Sequence, residues 1–164
     1  MRLAIMRHGE AAWDAPSDEL RPLTERGQKL SSQVAGRLLE ANELALKPER
    51  LIVSPYLRAQ QTADCVLSVI GGVPKDHCEL ITPDGNPREV IEWLYGYVEQ
   101  YPKLQSLMLI THNPFVSDLI SLLVDGQPRR GDSALPVMDT STLVLLETDL
   151  VAVGCCTLLG SYRA

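Results

Sequence analysis

Three short apolar runs in this chain each stop at a polar motif that carries a histidine or an arginine. Leu3-Ala4-Ile5-Met6 runs into Arg7-His8-Gly9-Glu10, Leu51-Ile52-Val53 into Ser54-Pro55-Tyr56-Leu57-Arg58, and Leu107-Met108-Leu109-Ile110 into Thr111-His112-Asn113. Continuous apolar runs of this length read as strands buried on both faces. The segments between them have helical spacing. Leu30, Val34, Leu38 and Leu39 follow Thr24, a helix cap with Gln28 four residues on, and predict a helix to about Asn42. Leu57, Ala59, Ala63, Val66, Leu67 and Ile70 predict a second helix from Tyr56, ended by Gly71-Gly72. Val90, Ile91, Leu94 and Val98 predict a third over residues 88–101, and a fourth is expected over 115–124. Residues 11–22, 82–87 and 126–136 read as loops. Short strands are expected over 78–81, 141–147 and 151–158, the last two as a hairpin across 148–150.

Strands that alternate with helices make the class α/β. The expected architecture has three layers: a mostly parallel central sheet, flanking helices and an antiparallel C-terminal edge. The 164 residues fit a single domain spanning 1–164, with no repeat or linker. No apolar run reaches membrane-spanning length, and the first one ends too early for a signal peptide, so the cytoplasm is the expected compartment. Cys65, Cys78, Cys155 and Cys156 have no zinc-site spacing and read as free thiols. The adjacent Cys155 and Cys156 are expected on a strand, pointing to opposite faces.

In open α/β sheets, ligands bind beyond the carboxyl ends of the strands. If the three runs are parallel neighbours, Arg7, His8, Arg58 and His112 converge on one cleft. Arginine forks suit phosphate oxygens, and histidine can act as nucleophile, acid, base or charge donor. No Asp, Glu or His cluster has metal-site spacing, and no Gly-rich loop with a following Lys is present. No metal and no cofactor are therefore expected. Phosphoryl transfer of that kind needs cationic side chains to neutralise the equatorial oxygens. The net charge of −6 argues against nucleic-acid binding but leaves room for a local cationic cleft.

Arg7-His8-Gly9 after the first strand resembles the signature of the histidine phosphatase superfamily, which includes the cofactor-dependent phosphoglycerate mutases. Ser54-Pro55-Tyr56-Leu57-Arg58-Ala59-Gln60-Gln61-Thr62 resembles its second motif, and His112 its second histidine. A narrower resemblance is to the small bacterial phosphohistidine phosphatases of the SixA type. It rests on Met6-Arg7-His8-Gly9-Glu10-Ala11, on Arg21-Pro22-Leu23-Thr24, on the compact length and on the absence of a large inserted cap. The resemblance implies a phosphoglycerate mutase-like fold and a hydrolase with His8 as nucleophile. It also implies that Arg7, Arg58 and His112 hold the phosphoryl group and that Arg21 adds a phosphate or substrate contact.

The expected substrate is a histidine-phosphorylated signalling or phosphocarrier domain, and the expected chain is a monomer that uses no nucleic acid and no membrane. Two other readings stand beside it: a phosphatase of small phosphomonoesters or phosphosugars, and a non-catalytic phosphate-binding module. Asp84 and Glu89 are the only candidates found for a general acid. An imidazole leaves more easily than an alkoxide, so a phosphohistidine substrate would make that shortage tolerable. Glu10 is expected to orient its neighbours, His77 to lie at the surface in a turn, and Arg129-Arg130 to be a solvated pair. Trp13 fits either the cleft mouth or the core.

Overall fold

The structure is a computed structural model that describes residues 1–41, 44 and 46–164. Six strands form one sheet: β1 (Arg2–Arg7), β2 (Arg50–Val53), β3 (Lys75–His77), β4 (Ser106–Thr111), β5 (Leu143–Glu147) and β6 (Thr157–Tyr162). Their order is β3-β2-β4-β1-β5-β6. The first four run parallel, whereas β5 pairs antiparallel with β1 and β6 antiparallel with β5. This is the mostly parallel sheet with an antiparallel C-terminal edge that the apolar runs predict.

Side chains alternate across the sheet, as a strand's period of two requires. Leu3, Ile5, Ile52, Leu107, Leu109, Val144 and Leu146 face helices α3 (Pro87–Gln100) and α4 (Phe115–Asp125). Ala4, Met6, Leu51, Val53, Met108, Ile110, Leu143 and Leu145 face α1 (Glu25–Leu39) and α2 (Leu57–Ile70). Both faces are covered, which is why the central strands read as unbroken apolar runs. No helix among the described residues is long and apolar enough to cross a membrane.

Helix ends follow local chemistry. The Thr24 hydroxyl accepts from the Gly27 N–H at 3.0 Å and caps α1. That helix closes at Leu39; its expected end near Asn42 lies outside the described residues. Asn86 caps α3, with Pro87 at its first position, one residue before the expected start.

Two expectations need correction. Residues 78–81 are not a strand: Glu79–Ile81 is a 3-10 turn, and the edge strand is Lys75–His77. Cys78 and Ile81 are buried three residues apart, which is one face of such a turn. The real strand is polar and bonds only to β2, so no apolar run marks it. His77 is accordingly an exposed strand residue, not a turn residue.

The last strand lies at Thr157–Tyr162, not at 151–158. The Gly154 and Cys156 N–H groups donate to the Leu122 and Leu123 carbonyls, at 2.8 and 2.9 Å. Those carbonyls belong to the final turn of α4 and have no partner within it. Val151 and Cys156 are buried for that reason, not by pairing in a sheet. Cys155 is exposed and precedes the strand, and all four cysteines are free.

The chain leaves β1 through a close approach to α1. A Cβ on Gly27 would stand 2.2 Å from the Glu10 carbonyl oxygen, and one on Gly9 would stand 2.6 Å from Ser31 Oγ. Gly27→Ala is therefore expected to cost about 1–3 kcal/mol in urea unfolding, the usual penalty of forced overpacking. Gly36→Ala, where a Cβ would meet nothing within 4 Å, should leave stability equal or higher. Equal midpoints for the two variants would show that the crossing is not tight.

Candidate active site

Register brings the predicted residues together. Arg7 pairs with Thr111 across β1 and β4, and Val53 with Ile110 across β2 and β4. The next residues, His8, Ser54 and His112, therefore leave the sheet side by side. The His8 N–H donates to the Thr111 carbonyl at 2.9 Å, and the Ser54 N–H to the Ile110 carbonyl at 3.1 Å. The His8 and His112 ring centroids are 4.9 Å apart. Arg58, in the first turn of α2, reaches back so that its Nε–H donates to His8 Nε2 at 3.2 Å.

Arg7, His8, Arg21 and Arg58 line an open cleft of about 440 Å³ with Glu10, Ala11, Trp13, Asp18, Pro83, Asn113 and Thr140. His112 stands behind His8 and does not line it. A groove of about 660 Å³ beside the cleft shares Asn113 but holds no histidine. Chemistry, not size, therefore marks the site.

The imidazole of His8 is oriented by its neighbour. Nδ1 lies 2.7 Å from the Gly9 carbonyl oxygen, which can only accept, so Nδ1 carries the proton. The Nε2 lone pair is left to face Arg58. Gly9 is held in turn by its own N–H, which donates to Thr62 Oγ1 at 3.0 Å, and that hydroxyl donates to the Arg58 carbonyl at 2.6 Å. His112 Nε2 lies 2.7 Å from Ser54 Oγ. Buried polar atoms without a partner, among the described residues, are Arg7 Nε and His112 Nδ1. Both belong to the predicted site, and such orphans are costly unless a ligand satisfies them.

Both histidines are neutral. Burial pushes His8 down to about 3; the Gly9 carbonyl opposes this, and Arg58, Arg7 and Arg21 reinforce it. Burial likewise takes His112 down to about 2, helped by His8 and Arg58. Burial also lowers Arg7 from its ordinary value, with Asp139 working against this and Arg58 with it. The cationic crowding is relieved by one carboxylate. Asp18 Oδ2 accepts from Arg58 Nη2 at 3.0 Å, and Oδ1 accepts from Arg21 Nη1 at 3.1 Å. Partial burial works to raise the Asp18 carboxyl, but the hydrogen bonds from Arg58 and Arg21 outweigh it and hold the group below its usual range.

Arg21 has a second task. Its Nε and Nη2 donate to the Ala12 and Ala11 carbonyls at 2.8 and 3.3 Å, so it shapes the 11–22 loop as well as lining the cleft. Glu10 accepts from the Thr24 hydroxyl and pairs with Arg26, each at 2.8 Å, and so braces the start of α1. Trp13 is at the cleft mouth and outside the core. Arg129 donates to the Leu135 and Pro136 carbonyls, so it closes its own loop and is half-buried, whereas Arg130 is exposed as expected. The acid candidates Asp84 and Glu89 are exposed and do not line the cleft. Sequence patterning gives Asp18 no role and shows Ser54 only as the first residue of the second motif. Asp18 lies in an aperiodic loop, and its spacing of three from Arg21 was the only local sign.

Residues 3–82 match the profile of the histidine phosphatase superfamily (branch 1). Over 151 residues the chain is 32% identical to phosphohistidine phosphatase SixA of Escherichia coli (strain K12), covering 91% of this chain and 86% of that protein. The chain belongs to the histidine phosphatase superfamily. Within it, the Haemophilus influenzae SixA homolog is 33% identical over 129 residues, which is 75% of this chain and 77% of that one. The solved structure of the protein histidine phosphatase SixA complexed with tungstate has a TM-score of 0.83 at 30% identity, covering 99% of this chain and 97% of that one.

The two neutral histidines make stability depend on pH. Their folded values lie below the ordinary 6.5, so between them the unfolded chain binds protons that the fold excludes. Stability is complete above about pH 6.5 and is lost as pH falls, by up to about 1.4 kcal/mol per pH unit for each histidine. Urea midpoints measured at about pH 7 and pH 5 should show that loss, and His112→Asn should remove about one proton's share of it. A wild-type midpoint flat across this range would mean that the histidines are not held neutral.

Proposed function

We propose that the protein is a phosphohistidine phosphatase that takes the phosphoryl group from a histidine-phosphorylated protein onto His8 and then gives it to water. One observation carries the reading: the Nδ1–H of His8 is bound to the Gly9 carbonyl, which leaves the lone pair on Nε2, where only the Arg58 Nε–H covers it. The SixA relatives are named for this activity, and one of them was solved with tungstate, a tetrahedral oxyanion.

In the first step the His8 Nε2–P bond forms as the substrate's P–N bond breaks. One P–N bond replaces another, and the leaving imidazole takes its proton from solvent. Arg58 Nε–H, which caps the Nε2 lone pair, shifts to a phosphoryl oxygen as the new bond forms. Arg7 Nε and His112 Nδ1 are the unpartnered groups suited to the other oxygens. In the tautomer in which Ser54 Oγ donates to His112 Nε2, the ring proton sits on Nδ1, the atom that has no partner in the fold. Water then attacks the phosphohistidine, the P–Nε2 bond breaks and inorganic phosphate leaves.

No step requires a strong acid. Asp18 is held ionised by two guanidinium groups, the wrong state for donating a proton to a leaving group. That favours the easily displaced imidazole over the alkoxide of a phosphomonoester.

The wild-type protein should acquire label from a 32P-phosphohistidine protein in rapid-quench trapping, and His8→Ala should trap none and lose at least about 1,000-fold in turnover. Full hydrolysis by His8→Ala would remove His8 as the phosphoryl carrier. Turnover of sugar phosphates with none of a panel of phosphohistidine proteins would overturn the substrate class.

A further inference from the structure

The cleft has an apolar and acidic rim that the chemistry above does not use. Trp13, Val137 and Leu20 are 85%, 59% and 53% exposed, the three most exposed large apolar side chains among the described residues. Trp13 lines the cleft; Leu20 is the neighbour of Arg21, which lines it, and Val137 is the neighbour of Met138, whose carbonyl accepts from the cleft residues Arg7 and Asn113.

They stand on two separate loops: that of Val137 is held by Arg163 and Arg129, which donate to the Val137 and Pro136 carbonyls, and that of Trp13 and Leu20 is braced more closely. The Ala12 N–H donates to the Pro22 carbonyl at 2.8 Å, the Leu57 N–H to the Glu19 carbonyl at 2.9 Å, and the Leu23 N–H to Gln61 Oε1 at 2.7 Å. Trp13 is thus held out in solvent by a braced loop, with the Arg21 guanidinium 3.8 Å from the centre of its ring. Tryptophan and arginine are both among the residue types enriched at the energetic centres of protein interfaces.

Charge narrows the choice of occupant. The same loop carries the exposed Asp14 and Glu19, which make no ion pair among the described residues. A basic cleft is therefore bordered by free carboxylates. A small phosphate ester would be repelled by them and would leave the apolar rim wet. A protein surface with lysine or arginine beside its phosphohistidine would match both.

We propose that Trp13, Leu20 and Val137, with Asp14 and Glu19, form the docking rim for a folded phosphohistidine-bearing domain whose contact surface is apolar and flanked by basic side chains. This rests on the phosphohistidine phosphatase reading and assigns the surface that selects a protein over a free metabolite. Trp13 acts here as a specificity residue and takes no part in bond making.

The test compares kcat/KM on a histidine-phosphorylated phosphotransfer domain with kcat/KM on free phosphohistidine. The wild type should favour the protein, and Trp13→Ala should lower the protein-to-amino-acid ratio at least about tenfold, chiefly through KM. Glu19→Lys should lower it about threefold or more and reduce the salt dependence of the protein reaction. Trp13→Phe should recover most of the loss. Equal losses on both substrates would make Trp13 a support for Arg21 and overturn the rim, as would a ratio unchanged by either variant. A wild type inactive on both substrates would instead defeat the phosphatase reading itself, a failure visible without any variant.

Discussion

The parallel register of β1 against β4 is the constraint from which the site follows. It sets Arg7 opposite Thr111, so the residue after each strand is a histidine at the same level. A slip of one residue would turn every side chain of β1 to the other face, and both faces are packed. The geometry of the two histidines is thereby tied to burial of the whole sheet. The glycine after His8 completes the arrangement. Gly9 can pass α1 closely because it has no Cβ, and its carbonyl then lies where it fixes the His8 tautomer. One backbone turn thus supplies both the packing and the chemistry.

Most of this was legible because the strands are buried on both sides. Apolar runs without alternation marked β1, β2 and β4, and the polar residues at their ends marked the cleft. Arg7, His8, Arg21 and Arg58 line it, and His112 backs it. The features that escaped are those whose signal is not local. Lys75–His77 is an edge strand with a polar sequence, so periodicity has nothing to register. In residues 151–156 only Val151 and Cys156 are buried, in a turn bonded to the end of α4, a cause that a window along the chain cannot separate from strand pairing. Asp18 depends on where an irregular loop folds back, and nothing in its neighbours states that it meets Arg58 forty residues away.

The local charge distribution opposes the chain's net charge, and this suits the cleft to an anion. The protein carries −6 overall, yet three guanidinium groups meet around two imidazoles that burial keeps uncharged. Protonating either imidazole would add a further cation to that crowd, so the arginines themselves help to keep His8 unprotonated, as its proposed role requires. Asp18 compensates part of the charge by holding Arg58 and Arg21 together.

A phosphoryl oxygen and the Asp18 carboxylate seek N–H groups from the same two forks. Arg58 already spends its Nε–H on His8 Nε2 and its two Nη groups on Asp18, so binding an anion exchanges partners instead of filling free donors. Such an exchange keeps the guanidinium aligned before and after the phosphoryl group arrives, which limits reorganisation during transfer. It also keeps the resident contact ready to re-form once phosphate departs. The acidic surroundings of this basic cleft thus have a physical use: they hold the cations in place without neutralising the lone pair that the cations guard.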